Sequence, residues 1–253
     1  MSNDDKKLSL LGHLTELRKR LIRSVIAVAI TSTLAFIFAG QIFDILIAPA
    51  PQDINLVYIE MTEMLGTYMR VCMVSGIILA MPYLTYQLIM FVSPALTRRE
   101  KRYVFLILPW ITIMFAAGGV FAYFILIPRL TEFLLTWPSG IATPQPRIGN
   151  YINIVTRLLL MVGLVFEMPV LTTFLARIGI VKSKWLADKR KVAIVLAFVL
   201  AAFITPTIDP INQSLVAAPL IVLYEMSIWL AKLVQPKEPR IVAPEHRQHH
   251  SLE

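Results

Sequence analysis

The sequence predicts an all-helical integral membrane protein with six membrane-crossing helices, and three observations lead to this prediction. Of its 253 residues, 57% are hydrophobic and only 16% are charged, whereas about a quarter of the residues in a soluble domain are charged. Long apolar runs recur along the chain, and about 20 apolar residues are enough to cross a bilayer. Basic residues are concentrated in alternate connections, as cytoplasmic loops require.

The six predicted spans differ in length. Five of them reach the length of a full crossing, namely residues 21–39, 71–92, 103–128, 151–176 and 215–234. The run 192–204 would form about 20 Å of helix, which is shorter than a hydrocarbon core of about 30 Å. Because membrane segments flank this run, it is predicted to be a short fifth span. Residues 1–236 would form one transmembrane domain, and the polar residues 237–253 a disordered cytoplasmic tail.

Basic residues also predict the orientation. Four groups, within 6–23, 98–102, 177–191 and 232–247, hold all but four of the 24 lysines and arginines. They fall on one side of a six-span arrangement, so both termini are predicted to be cytoplasmic. The net charge of +8 is therefore interpreted as a topology signal. A nucleic-acid partner is not expected, whereas contact with membrane lipid is.

Several classes of site are absent from the sequence. A single cysteine, Cys72, excludes an intramolecular disulfide and a cysteine-based metal site. No zinc-protease, nucleophile-elbow or phosphate-binding-loop motif occurs, so neither an enzyme, a cofactor nor a metal is expected. One alternative to a protein-binding role remains open. A secondary transporter or proton conductor could use the acidic residues Glu167 and Glu225, which lie inside predicted spans.

An isolated carboxylate, Glu16, stands among basic residues in the segment HLTELRKRL, residues 13–21. Leucines at helical spacing predict an amphipathic helix that leads into the first span. One interpretation of Glu16 is an i,i+4 ion pair with Arg20, worth a few tenths of a kcal/mol. The other is an anionic spot that receives a cationic ligand at the cytoplasmic surface.

A second isolated carboxylate repeats this pattern. In FVSPALTRREKRY, residues 91–103, Glu100 is flanked on both sides by arginine and lysine. The topology rule needs only positive charge and gives no reason for either acid. Arginine binds carboxylates well because its planar fork can donate two hydrogen bonds to one group. Glu16 and Glu100 together could therefore bind two neighbouring arginines of a partner.

Two acids and a polar turn are predicted at membrane depth. Glu167 lies near the middle of the fourth span and Glu225 about ten residues into the last one. Such carboxylates are costly in lipid, so they indicate either a functional polar site or hydrogen bonding between helices. Since the fifth span is short, the turn after it would lie below the usual surface, in a thinned and partly wet region. Thr205 and Gln213 flank this turn and are predicted to contact a partner helix.

The chain resembles the TatC family, the large polytopic subunits of the twin-arginine protein translocase. Six stretches between residues 13 and 225 carry the resemblance in the family's order: HLTELRKRL, FVSPALTRREKR, FAYFILIPRL, FEMPV, FITPTIDPINQ and APLIVLYE. The resemblance implies six helices in a concave, glove-like bundle in a prokaryotic inner membrane. It also implies transport of folded cargo driven by the proton-motive force.

The resemblance further implies roles for particular residues. Paired arginines of a signal peptide would bind Glu16 and Glu100, on a surface that includes Arg18, Phe91 and Leu96. Glu167 would line a polar concavity. Single-span TatA-type and TatB-type proteins would be partners, with Thr205 and Gln213 as contacts for a partner helix. Self-association in a larger complex is also expected.

Overall fold

The structure is a computed structural model that describes residues 3–51, 55–92, 98–136, 144–205 and 209–235. For residues 3–11, 92, 98–106 and 136 it describes the backbone alone. The regular secondary structure of the described residues is helical, apart from one isolated β-bridge between Val57 and Arg147. Its ten α-helices, with one π-helical turn at Ala122–Leu126, are α1 Asn3–Ile37, α2 Ala39–Ile47, α3 Glu63–Val92, α4 Arg98–Phe121, α5 Ile127–Thr136, α6 Ile148–Phe166, α7 Met168–Arg177, α8 Ser183–Asp188, α9 Arg190–Ile204 and α10 Pro210–Val234.

Five stretches of these helices are long and apolar enough to cross a membrane within the described part of the chain. They are Gly12–Ile37, Glu63–Phe91, Ile107–Leu135, Ile148–Arg177 and Pro210–Val234. The predicted short span corresponds to α9, whose 15 residues give about 22 Å of helix. The all-helical class is thus confirmed. A sixth crossing, with the orientation it implies, stays a prediction.

The first helix is longer than its apolar run. The amphipathic segment 13–21 and the first predicted span belong to one continuous helix, α1. No proline or glycine separates the two parts between residues 13 and 39, so nothing interrupts the hydrogen-bond ladder. Polar residues near the start of α1 are therefore held in a fixed rotational relation to the membrane-spanning part.

The fourth long helix is interrupted at Glu167. This residue ends α6 and precedes α7, and its amide donates to the carbonyl of Leu164 at 3.1 Å, one residue closer than in a regular α-helix. Pro169 follows two residues later and lacks the amide that would continue the ladder. The acid predicted near mid-membrane therefore lies at a local break in the helix.

The core is centred on α6. Its buried face includes Tyr151, Ile152, Val155, Leu158 and Val162, and it contacts α2, α3, α4, the π-helical turn, α9 and α10. By contrast, α1 packs mainly on α3, and many of its apolar side chains are exposed. Exposed apolar side chains on a membrane-spanning helix are suited to contact lipid.

Small residues bring α1 and α3 together. The Thr31 hydroxyl donates to the carbonyl of Gly76 at 2.7 Å. A Cβ added at Gly76 would overlap both the side chain and the backbone of Ser32. Small residues permit this close approach of two helices in a membrane. It fixes the relation between the polar ends of α1 and α3.

Two ends of the bundle are distinguished by charge. We call the end that carries residues 12–20, 83–92 and 177–191 the basic end. The end that carries residues 44–51, 55–63 and 144–150 is the acidic end. Consecutive long helices run in opposite directions between the two ends. The chain therefore returns to the basic end after every second long helix.

Candidate functional site

Glu16 lies in a chain of side-chain hydrogen bonds at the basic end. The Arg20 guanidinium donates from Nη2 and Nε to Glu16 Oε1, at 2.5 and 3.0 Å. Its Nη1 donates to Gln87 Oε1 on α3 at 3.1 Å. The Gln87 amide in turn donates to the Tyr83 hydroxyl at 2.6 Å. The i,i+4 pair of the first interpretation therefore exists, and it extends to a neighbouring helix.

A narrow groove lies beside this hydrogen-bonded chain. It has a volume of about 190 Å³ and is lined by residues of α1 and α3, which include Leu17, Leu21, Leu84, Leu88 and Phe91. The polar side chains of Arg20 and Gln87 also face it. His13 stacks on Phe91 with ring centroids 4.5 Å apart and an angle of 22° between the planes. The groove thus combines an apolar wall with the Arg20 guanidinium, which also binds the Glu16 carboxylate.

The charges around the groove differ in exposure. The Glu16 side chain is 34% exposed, whereas that of Arg20 is 16% exposed. Arg18 and Lys19 are exposed on the same helix. A cation approaching from the basic end would reach the Glu16 carboxylate between these basic side chains. Arg20 is one partner of Glu16 at this position.

Glu167 is enclosed by protein. The residue is 2% exposed, and Thr85 of α3 donates its hydroxyl to Glu167 Oε2 at 2.8 Å. The second oxygen, Oε1, is buried and has no hydrogen-bond partner within the described residues. This carboxyl group therefore joins the break between α6 and α7 to α3 and retains unused hydrogen-bonding capacity.

Glu225 belongs to a different environment. Arg190, the first residue of α9, donates to both oxygens of Glu225 on α10, with Nε–Oε1 at 2.8 Å and Nη2–Oε2 at 2.9 Å. Both side chains are about half exposed. The antiparallel pairing of α9 with α10 brings the two residues together. Glu225 is therefore paired within the chain.

The polar residues beside the turn after α9 bond to the hairpin itself. The Thr205 hydroxyl is buried and donates to the carbonyl of Ala201 at 2.9 Å. The Gln213 amide donates to the carbonyl of Phe198 at 2.8 Å. Gln213 also lies at the edge of an apolar groove on α9 that is lined by Ile194, Phe198 and Phe203 among others. The predicted contact residues thus stand beside an exposed apolar helix face.

A charged clasp closes the acidic end. Arg147 pairs with Glu60 at 2.9 Å and with Glu63 at 3.0 Å. The amides of Ile59 and Gly149 donate to Glu63 at 3.1 and 3.2 Å. Contacts with the two carboxylates, Glu60 first, raise the pKa of Arg147 above its usual value. The clasp joins the segment before α3 to the start of α6.

Known proteins resemble the chain along most of its length. The sequence profile of the family described as Sec-independent protein translocase protein (TatC) matches residues 12–219. The TatC proteins of Carboxydothermus hydrogenoformans and Aquifex aeolicus are 41% and 38% identical to it. These matches cover 93% and 92% of this chain and 97% and 99% of the relatives. The chain belongs to the TatC family.

Solved TatC structures have the same fold. A crystal structure of the twin-arginine translocase receptor TatC matches with a TM-score of 0.79 and 40% identity, covering 88% of this chain and 99% of the other. A second, in DDM, matches with a TM-score of 0.79 and 39% identity, covering 87% and 99%. The resemblance to the TatC family is thus confirmed. The chain is a multi-span helical membrane protein and a component of the Sec-independent, or Tat, pathway of protein transport.

The structure groups some of the residues predicted for this TatC protein and leaves others apart. Phe91 lines the same groove as Arg20, the ion-pair partner of Glu16, and Arg18 is exposed on the helix that carries Glu16. The side chain of Glu100 and the whole of Leu96 lie outside the described residues. Glu167 and Glu225 have different partners on different helices. Their functional roles, like that of the Thr205–Gln213 contact, stay predictions.

One residue of the site and the clasp at the acidic end were not predicted from the sequence. Gln87 was not among the predicted residues, although its burial and its bond to Arg20 place it inside the site. The sequence does show that Gln87 is a polar amide near the end of the apolar span 71–92. This is the one feature from which its role could have been inferred. The clasp residues Glu60, Glu63 and Arg147 were not among the predicted residues either. Their pairing joins segments about 85 residues apart, which spacing along the sequence does not reveal.

Proposed function

We propose that the chain is the receptor subunit of a twin-arginine translocase and binds signal peptides through their paired arginines. Glu16 would bind one guanidinium and Glu100 the other, with Phe91, Leu96 and Arg18 on the same surface. One observation carries the proposal: Glu16 already binds a guanidinium, that of Arg20, beside an apolar groove. The carboxylate thus has the position and partial exposure that an arginine ligand requires.

The remaining partners follow from the proposed role. Single-span TatA-type and TatB-type proteins would pack on the apolar face of α9, near Thr205 and Gln213. Such a complex would hold more than one copy of the chain and would use the proton-motive force to move folded cargo. The chain would lie in a prokaryotic inner membrane with its basic end and both termini in the cytoplasm. It would act by binding, without an enzymatic step.

The transporter alternative has less support. A proton relay needs carboxylates linked by polar groups or water across the membrane. Glu167 bonds to Thr85 on α3, whereas Glu225 pairs with Arg190 at the basic end. Each acid therefore joins a different pair of helices, and no bond between the described residues connects the two. These contacts favour structural roles over a shared relay.

The proposal is tested by peptide binding to the full chain in lipid nanodiscs. A fluorescent signal peptide with paired arginines should bind more tightly than its twin-lysine version. Glu16→Gln should weaken arginine-peptide binding by about tenfold or more, since a charge-assisted hydrogen bond contributes about 1.5–3 kcal/mol. Asp44→Asn, which removes an exposed acid at the acidic end, is the matched control and should leave binding unchanged. Equal binding of both peptides, with no effect of Glu16→Gln, would refute receptor function at this site.

A further inference from the structure

The Glu16 carboxylate is occupied by a side chain of the same charge and geometry as the proposed ligand. Two nitrogens of Arg20 contact one Glu16 oxygen, and the third contacts Gln87. We propose that Arg20 is an internal competitor that occupies Glu16 in the unbound receptor and is held by Gln87 when a signal-peptide arginine replaces it. This inference rests on the proposed function and adds a residue that sets its specificity.

The structure supplies a second position for Arg20. Gln87 is buried, with 4% exposure, and donates its amide to the Tyr83 hydroxyl at 2.6 Å. This bond directs the Gln87 carbonyl oxygen towards Arg20. A guanidinium has five N–H donors, so Arg20 can release Glu16 while it keeps its bond to Gln87. Displacement therefore needs a rearrangement of one side chain and no opening of the helix pair.

The exchange discriminates between arginine and lysine on chemical grounds. An incoming guanidinium can replace both hydrogen bonds that Arg20 gives to Glu16, so little is lost when the partners exchange. An ammonium group is a compact, strongly hydrated charge without the planar fork. It would have to break the Arg20–Glu16 contacts and could not reproduce their geometry. The free energy needed to displace Arg20 from Glu16 is thus larger for a lysine ligand than for an arginine ligand.

The environment is suited to such an exchange. Glu16 is 34% exposed, so a ligand can reach it from the basic end, whereas Arg20 is more enclosed at 16%. Leucines of α1 and α3 line the groove together with Arg20. They can cover the aliphatic part of whichever arginine occupies the carboxylate. A partly buried competitor next to a more exposed carboxylate is the arrangement that displacement requires.

The first measurement removes the competitor. Arg20→Gln should tighten binding of the twin-arginine peptide by about fivefold and reduce the ratio of arginine-peptide to lysine-peptide affinity, because Arg20 then no longer competes for Glu16. Lys19→Gln and Arg23→Gln remove the same charge from exposed positions of the same helix. They are the controls for simple loss of repulsion and should leave the affinity ratio unchanged.

The second measurement uses substitutions of Gln87, the residue that is proposed to hold Arg20 after its displacement from Glu16. Gln87→Glu should attract Arg20 away from Glu16 and tighten arginine-peptide binding, whereas Gln87→Leu should weaken it. If Gln87 had only a structural role, both variants would bind the arginine peptide more weakly than the unaltered chain. In the Arg20→Gln background neither substitution should have much effect, since the group on which they act is absent. Melting temperatures of all variants in nanodiscs confirm that the receptor is folded.

The outcomes separate the competitor from receptor function itself. If Arg20→Gln weakens arginine-peptide binding as much as Glu16→Gln does, Arg20 supports the site and the competitor role is wrong. If Arg20→Gln matches Lys19→Gln in affinity and in affinity ratio, only overall charge matters, and the inference also fails. Loss of receptor function would instead show as a Glu16→Gln variant that binds both peptides like the unaltered chain.

Discussion

At the scale of single residues, Glu167 is a carboxyl group whose surroundings satisfy only part of its hydrogen-bonding capacity. Thr85 supplies one donor, and Oε1 has no partner among the described side chains and backbone. Buried polar atoms without partners are rare and costly in folded proteins. The pair therefore links α3 to the helix break and leaves an acceptor for a further group.

Removing the Thr85 hydroxyl should destabilise the protein more than removing both partners. Thr85→Val leaves the Glu167 carboxyl without its donor and should lower the free energy of unfolding by about 1–3 kcal/mol. The double variant with Glu167→Leu should recover most of this loss, because no buried polar group is left unpaired. Thermal unfolding in detergent provides the comparison, with Thr112→Val on an exposed helix face as the control. An unchanged melting temperature in Thr85→Val would show that the hydrogen bond contributes nothing to stability.

Residue identities could be predicted from the sequence better than their partners. A carboxylate stands out among basic residues, as Glu16 does, or inside an apolar run, as Glu167 and Glu225 do. Their partners depend on which helix faces meet, and spans that are apolar on every side give little periodic signal. Thr85 and Gln87 are ordinary polar residues until α3 places them opposite α6 and α1.

At the scale of elements, the short helix α9 is attached to α10 along its length. The Tyr224 hydroxyl donates to the carbonyl of Leu186 just before α9, and Gln213 donates to the carbonyl of Phe198 in the middle of α9. Arg190 at the start of α9 forms an ion pair with Glu225, the residue after Tyr224. The position of α9 relative to α10 is thus fixed by polar contacts as well as by packing.

The Arg190–Glu225 pair should show measurable coupling in a double-mutant cycle. Because both side chains are about half exposed, the expected coupling is about 0.5–1 kcal/mol, within the range for exposed pairs. Arg190→Gln and Glu225→Gln should each lower the melting temperature, and the double variant should lower it by less than the sum. Lys191→Gln, which alters the adjacent exposed residue, serves as the control. Strictly additive effects would show that the two groups do not interact.

The length of α9 could be predicted by counting apolar residues between a lysine and a proline, whereas its attachment could not. The register of two antiparallel helices depends on the turn between them. A shift of one residue turns a side chain by about 100° around the helix axis. Arg190 and Glu225 were therefore recognised separately, one as a topology charge and the other as an intramembrane acid.

At the scale of the whole molecule, charge divides the bundle into two ends. Glu16, Arg18 and Lys19 lie at the basic end, and the Glu60–Glu63–Arg147 clasp lies at the acidic end. Helix order and composition were sufficient to predict this division because the distribution of lysine and arginine reflects membrane insertion. The clasp itself depends on contacts between distant segments and could not be predicted in that way.

The orientation can be measured with single cysteines in a Cys72→Ala background. Asn55→Cys at the acidic end and Lys184→Cys at the basic end both replace exposed residues. Since the basic end is expected in the cytoplasm, a membrane-impermeant thiol reagent added to intact cells should label Asn55→Cys alone. Both should react after the membrane is permeabilised. Labelling of Lys184→Cys in intact cells would reverse the predicted orientation.

The π-helical turn at Ala122–Leu126 determines which side chains of α5 face the core. This helix is the part of the third long helix that lies at the acidic end. A π-turn contains one residue more than an α-helical ladder needs, so α5 begins rotated by about 100° from where an unbroken α4 would place it. Phe124 and Ile125 consequently face outwards, while Leu126, Ile127 and Leu130 enter the core around α6. One inserted residue thus lets the two halves of the third long helix present independent faces, one to each end of the bundle.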